Sequence, residues 1–161
     1  MPDTSINELS LINSTSIFNS LGDLMPYLDK DKDIPFVFIL SKDKKQYFKL
    51  SFFPGSNNNE FSYFEIGLLK DKLLKKKNIL LSKYKIFITE NNIKIGISKQ
   101  AFLKNRNMHF LKTENNDLYT YEVNDFKNSA FLKAYNMSSY RAKYRFDNDT
   151  LVQFEFGFVY Q

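Results

Sequence analysis

Apolar and polar positions alternate most regularly near the end of the chain. Over residues 139–146, Tyr140, Ala142, Tyr144 and Phe146 alternate with Arg141, Lys143 and Arg145. Over residues 152–160, Val152, Phe154, Phe156, Phe158 and Tyr160 alternate with Gln153, Glu155 and Gly157. A period of two puts successive side chains on opposite faces of a strand, so each segment predicts a strand with one buried face. The two apolar faces must coincide, because a slip of one residue exposes them. A three-residue loop, Asn148-Asp149-Thr150, meets that condition. It pairs Phe146 with Val152 and Tyr144 with Phe154, and sets Lys143 opposite Glu155.

The same reading extends upstream. Phe36-Val37-Phe38-Ile39-Leu40 has the length and composition of a buried strand. After the polar turn Lys42-Asp43-Lys44-Lys45, residues 46–53 place Phe48, Leu50 and Phe52 on one face and Tyr47, Lys49 and Ser51 on the other. Pro54-Gly55-Ser56-Asn57-Asn58-Asn59 predicts a turn, since Pro presets φ while Gly and Asn tolerate positive φ. Residues 61–69 then return as a strand. Residues 84–89 and 93–97 read as strands around Glu90-Asn91-Asn92, and residues 108–112 and 118–123 read as a hairpin.

Three short helical segments interrupt this pattern. Ser14, Thr15 and Ser16 offer an N-cap for a helix with Ile17, Phe18 and Leu21 as its apolar side and Gly22 as its stop. Ser98 caps a helix over residues 99–105, and a helical turn is expected at residues 129–134. The predicted fold class is therefore α+β, a mostly antiparallel β-sheet with short helices packed on one face. The 161 residues are expected to form one unit, divisible into two pseudo-repeats at about residues 9–69 and 79–161 joined by a basic connector at residues 70–78.

Composition supports the sheet and removes several chemistries. Aromatic residues make up 17% of the chain, with no Trp, and flat rings pack well on a pleated surface. The absence of cysteine excludes disulfides, thiol nucleophiles and thiolate metal sites. No apolar run approaches the roughly 18 to 20 residues that span a bilayer. The first 21 residues are rich in Ser and Asn and lack the basic and apolar regions of a leader, so the chain as written reads as soluble and untargeted, and as exported if a leader was removed from it. The net charge of +5 is compatible with an anionic partner, and the codon bias of an AT-rich genome is an alternative source for much of the lysine.

Ile93-Lys94-Ile95-Gly96-Ile97-Ser98-Lys99-Gln100-Ala101-Phe102 enters a helix from a strand through glycine and a capping serine. Ile17-Phe18-Asn19-Ser20-Leu21-Gly22, with Pro26 nearby, closes a helix on Leu-Gly. Together these resemble the two ends of the repeat found in the beta-lactamase-inhibitor-like and SmpA/OmlA-type family of exported bacterial proteins. Lys104-Asn105-Arg106 stands where the second copy of that repeat would carry Leu-Gly. The resemblance implies an exported, non-enzymatic module in which a concave sheet face grips a protein partner.

No motif for catalysis or for a cofactor is present. His109 is the only histidine, with no Gly-x-Ser-x-Gly elbow beside it, and reads as structural. Asp29, Asp31 and Asp33 alternate like the first ligands of a calcium loop, but Ile34 and Leu40 occupy the glycine and glutamate positions. Five glycines leave no phosphate-cradling loop. Glu60 and Glu65 have a spacing ordinary for surface acids. No catalytic, cofactor-binding or metal-ligating residue is assigned. Two surface patches remain: Tyr47, Lys49 and Tyr63 as an exposed protein-contact face, and Arg141, Lys143 and Arg145, with the lysines of residues 70–77, as anion contacts. The favoured reading is a non-catalytic protein-interaction module, with a basic nucleic-acid-binding protein as the alternative.

Overall fold

The computed structural model describes residues 2–30, 33–52, 56–70, 78–106 and 111–159. In chain order the elements are β1 (Ser5–Ile6), β2 (Leu9–Ser10), α1 (Ser14–Leu21), β3 (Phe36–Leu40), β4 (Gln46–Phe52), β5 (Phe61–Leu68), β6 (Leu80–Leu81), α2 (Lys99–Lys104), β7 (Leu111–Asn115), β8 (Leu118–Val123), α3 (Ala130–Tyr135), β9 (Tyr140–Asp147) and β10 (Thr150–Phe158). A short 3-10 turn at Met25–Tyr27 follows α1. The fold is α+β. One eight-stranded sheet has the order β6-β3-β4-β5-β10-β9-β8-β7, and β1 and β2 form a separate two-stranded ribbon. Every pair in the large sheet is antiparallel except β3 with β6.

The alternation read from the sequence sets one face of this sheet against the core. Val37 and Ile39 of β3 pair with Leu50 and Phe48 of β4, which pair in turn with Phe64 and Ile66 of β5. Phe156 and Phe154 continue the rows on β10, and Ala142 and Tyr144 on β9. All of these are buried. The helices cover the same face: Phe102 of α2 packs on Tyr144 and Phe146, and Phe131 and Tyr135 of α3 pack on Tyr140 and Phe158. At about 1.5–3 kcal/mol per fully buried large apolar side chain, this layer is the main source of stability.

The final hairpin differs from expectation at its tip. Asn148 and Asp149 both have positive φ, at 47° and 59°, and form a two-residue loop that pairs Thr150 with Asp147. Such turns match the right-handed twist of the strands. The odd residue is absorbed instead by a bulge: Leu151 pairs with Phe146, Gln153 with Arg145, and Val152 stands between them. Beyond the bulge, Tyr144 lies opposite Phe154 and Lys143 opposite Glu155, as the alternation requires.

Two other expectations are corrected. Residues 84–89 and 93–97 do not form strands, because their backbone groups are shared among several elements: Ile88 O accepts from Asn7 N, Thr89 N donates to Ile93 O, and Gly96 N donates to Leu151 O. The N-cap of α1 is Asn13, whose side chain accepts from Ser16 N, and Phe18 points outward with 58% exposure. The turn at Pro54-Gly55, most of the connector at residues 70–78, Asp31, His109 with the start of its strand, and Tyr160 lie outside the described residues.

The N-terminal segment, which carries no regular pattern, is part of the core. Ile6, Leu9 and Leu11 are buried, and Asp3 is fully enclosed. The Asp3 carboxylate accepts from Tyr144 Oη at 2.6 Å and from Asn91 Nδ2 at 2.9 Å, and it pairs with Arg106. Tyr140 Oη donates to the Asp3 carbonyl at 2.7 Å. Burial pushes the hydroxyls of Tyr140 and Tyr144 well above their ordinary range.

Candidate binding face on the open side of the sheet

The residues of opposite parity in β4, β5, β10 and β9 face away from the helices. Their register defines a row Lys49, Glu65, Glu155, Lys143, with Glu65 and Glu155 directly paired at its centre. Partners step outward evenly from that pair: Phe64 with Phe156, Ile66 with Phe154, Tyr63 with Gly157, and Gly67 with Gln153. A pseudo-twofold axis therefore passes through the Glu65–Glu155 pair. It relates Phe64-Glu65-Ile66-Gly67 to Phe154-Glu155-Phe156-Gly157, and Lys49 to Lys143.

Each glycine in this arrangement carries a tyrosine from the next strand. Tyr47 pairs with Gly67, and a Cβ there would meet the Tyr47 ring at 2.7 Å. Tyr63 pairs with Gly157, where a Cβ would meet the Ser62 carbonyl and the Tyr63 Cα before the edge of the Tyr63 ring. An aromatic ring laid over a strand glycine covers backbone that would otherwise lack side-chain packing. The hydroxyls are fixed as well: Tyr47 donates to Glu65 Oε1 at 2.5 Å, and Tyr63 donates to Glu155 Oε1 at 3.1 Å. Gln153 Nε2 donates to the same Glu65 oxygen at 3.1 Å. Burial raises both tyrosine hydroxyls far above their ordinary range, and the facing carboxylates raise them further. At neutral pH both are therefore protonated donors held in one geometry.

The Tyr47, Lys49 and Tyr63 patch and the Arg141, Lys143 and Arg145 stripe, expected to be separate, lie on this one face, and their members differ in access. Tyr47, expected as an exposed contact, is only 8% exposed, because its ring lies down over Gly67. Lys49 and Tyr63 are half-buried. Arg141 donates from Nε to Glu122 at 2.7 Å, and Lys143 approaches Glu155 at 4.0 Å. Arg145 is exposed. The basic stripe is thus interleaved with Glu122, Glu155 and Glu65.

A groove of about 470 Å³ opens at the end of the face near Gly157. Ile34, Phe52, Phe158 and Val159 supply its apolar lining, and Lys49 and Arg141 line it with charge. Tyr63 also borders it. A cavity of this size, mostly apolar with a few placed polar groups, has the character of a recognition site.

The sequence reading set Glu155 opposite Lys143 but did not bring Glu65 beside Glu155 or place tyrosines against Gly67 and Gly157. The available signal was the repeated Phe-Glu-x-Gly, once in each half of the chain. Among the described residues no group of His, Asp and Glu is placed to hold a metal ion, and no helix is long and apolar enough to cross a membrane. No protein-family model matches the chain, and neither a curated protein nor a solved structure matches it.

Proposed function

We propose that the open face of β4, β5, β10 and β9 docks a protein partner and performs no chemistry of its own. The observation that supports this most is the fixed state of its side chains. Tyr47, Glu65 and Gln153 are bonded in one group, and Tyr63 and Glu155 in a second. Little rotamer entropy remains to be lost when a partner arrives, and that loss is a main cost of association. Tyrosine and arginine are among the residue types that most often anchor interfaces. A phosphate backbone laid along Arg141, Lys143 and Arg145 would meet Glu122, Glu155 and Glu65 at the same approach, so the charge pattern disfavours a continuous polyanion along that row. The reading also agrees with the exported, partner-gripping role implied by the resemblance of residues 17–22 and 93–102.

The test is site-specific photo-cross-linking in the cells that make the protein. A benzophenone amino acid at Arg145 should give one discrete protein adduct, weakened by Lys143→Glu. The same group at Phe18, 58% exposed on the helical side, should give none. Matching adduct patterns at the two positions, or no adduct at Arg145, would refute the docking face.

A further inference from the structure

We infer that the groove beside Gly157 receives an acidic peptide segment carrying a bulky apolar side chain; this names the partner chemistry of the docking face and rests on that reading. The lining divides into two functions. Ile34, Phe52 and Val159 form an apolar wall beside the buried Phe158, and Ile34 is 54% exposed at its rim. An exposed isoleucine beside a half-formed apolar pocket gains most by being covered, since burial stabilises in proportion to apolar area removed from water.

The charged part of the lining sets the sign of the partner. Lys49 holds its ammonium 4.8 Å from the centroid of the Phe36 ring and forms no ion pair among the described residues. Its cross-strand neighbour Glu65 has its Oε1 occupied by Tyr47 and Gln153. Arg141, on the opposite flank, gives Nε to Glu122 while lining the groove. The groove is therefore an apolar slot with Lys49 on one flank and Arg141, paired with Glu122, on the other, and the Oε1 of its one carboxylate, Glu65, is bonded to Tyr47 and Gln153. A carboxylate flanking the seated side chain completes Lys49, and the chain's net charge of +5 draws an acidic segment toward it. A lysine-rich segment would meet like charge on both flanks.

The chain has no Trp, so a Trp-containing peptide reports its own environment without background. The probe is a synthetic hexapeptide, Asp-Glu-Trp-Leu-Asp-Glu, titrated against the full-length protein. Comparison peptides carry lysine at the acidic positions, or serine in place of Leu. The expected result is a blue shift of the Trp emission with the acidic peptide and none with the lysine peptide. Binding should weaken about tenfold with Ile34→Asp, and again with Lys49→Gln. Both variants change half-buried or exposed side chains, and circular dichroism verifies that they fold. A silent acidic peptide at millimolar concentration, equal binding of the lysine peptide, or affinity unchanged in both variants overturns the assignment. So does displacement of the peptide by a single-stranded oligonucleotide, which would assign the groove to a phosphate backbone. A cross-link at Arg145 combined with a silent peptide overturns the groove assignment alone. Loss of that cross-link overturns the docking face itself.

Discussion

Gly67 and Gly157 occupy equivalent places about the pseudo-dyad, yet the space above them differs in kind. A methyl group on Gly67 would meet the ring of Tyr47 first, a side chain that can swing aside at the loss of its bonds to Glu65 and Gln153. A methyl group on Gly157 would meet the Ser62 carbonyl and the Tyr63 backbone, which belong to the paired strand and cannot yield. Gly157 also has a φ of 152°, which L residues seldom adopt. Gly157→Ala should therefore cost about 2–3 kcal/mol and Gly67→Ala about 1 kcal/mol, compared by urea denaturation. Equal costs would contradict the difference in packing. At this scale the sequence was legible in part. Alternation placed Tyr47, Lys49 and Tyr63 on one face, but it did not show that a ring opposite a glycine lies down and becomes buried.

Elements with a strong period were legible, and those held by long-range contacts were not. β9 and β10 follow from alternation alone, and the bulge at Val152 reconciles the coincident apolar faces with a twist-matched two-residue turn. Ser98 and Ser129 cap α2 and α3 by accepting from Ala101 N and Leu132 N. The segment before α1 has no such period. It is held by contacts distant in sequence: Asp3 to Asn91, Arg106, Tyr140 and Tyr144, and Glu90 to the backbone N–H groups and hydroxyls of Thr4 and Ser5. Asp3 is fully buried and the Arg106 side chain is 10% exposed. Asp3→Ala leaves an enclosed guanidinium without its carboxylate, a change that typically costs about 3–5 kcal/mol. The expected result is a large fall in the urea midpoint. A loss below about 1 kcal/mol would show that the segment is not the clamp its contacts describe.

Across the whole molecule, tyrosine ties the separate layers together. Tyr47 and Tyr63 fasten the open face, Tyr140 and Tyr144 fasten the N-terminal segment to the sheet, and Tyr84 donates to Glu8 at 2.5 Å. Burial raises each hydroxyl, and Tyr84 is pushed up to about 12. A tyrosine whose value in the folded state lies above the unfolded value of 10.0 holds its proton longer when folded. Between those two values the unfolded state binds fewer protons, so stability falls as pH rises. The contribution is complete below pH 10.0, and Tyr84 has lost its share by about pH 12. The other four have folded-state values well above the ordinary one and continue to drive unfolding at higher pH. These groups lie on both sides of one continuous sheet, so ionisation cannot proceed layer by layer without breaking strand pairs shared by both faces. Tyrosinate absorbance should therefore rise cooperatively and in step with the loss of far-ultraviolet circular dichroism. A smooth titration of nearly all ten tyrosines near their ordinary value, with the dichroism intact, would contradict this coupling of the open face, the core face and the N-terminal clamp.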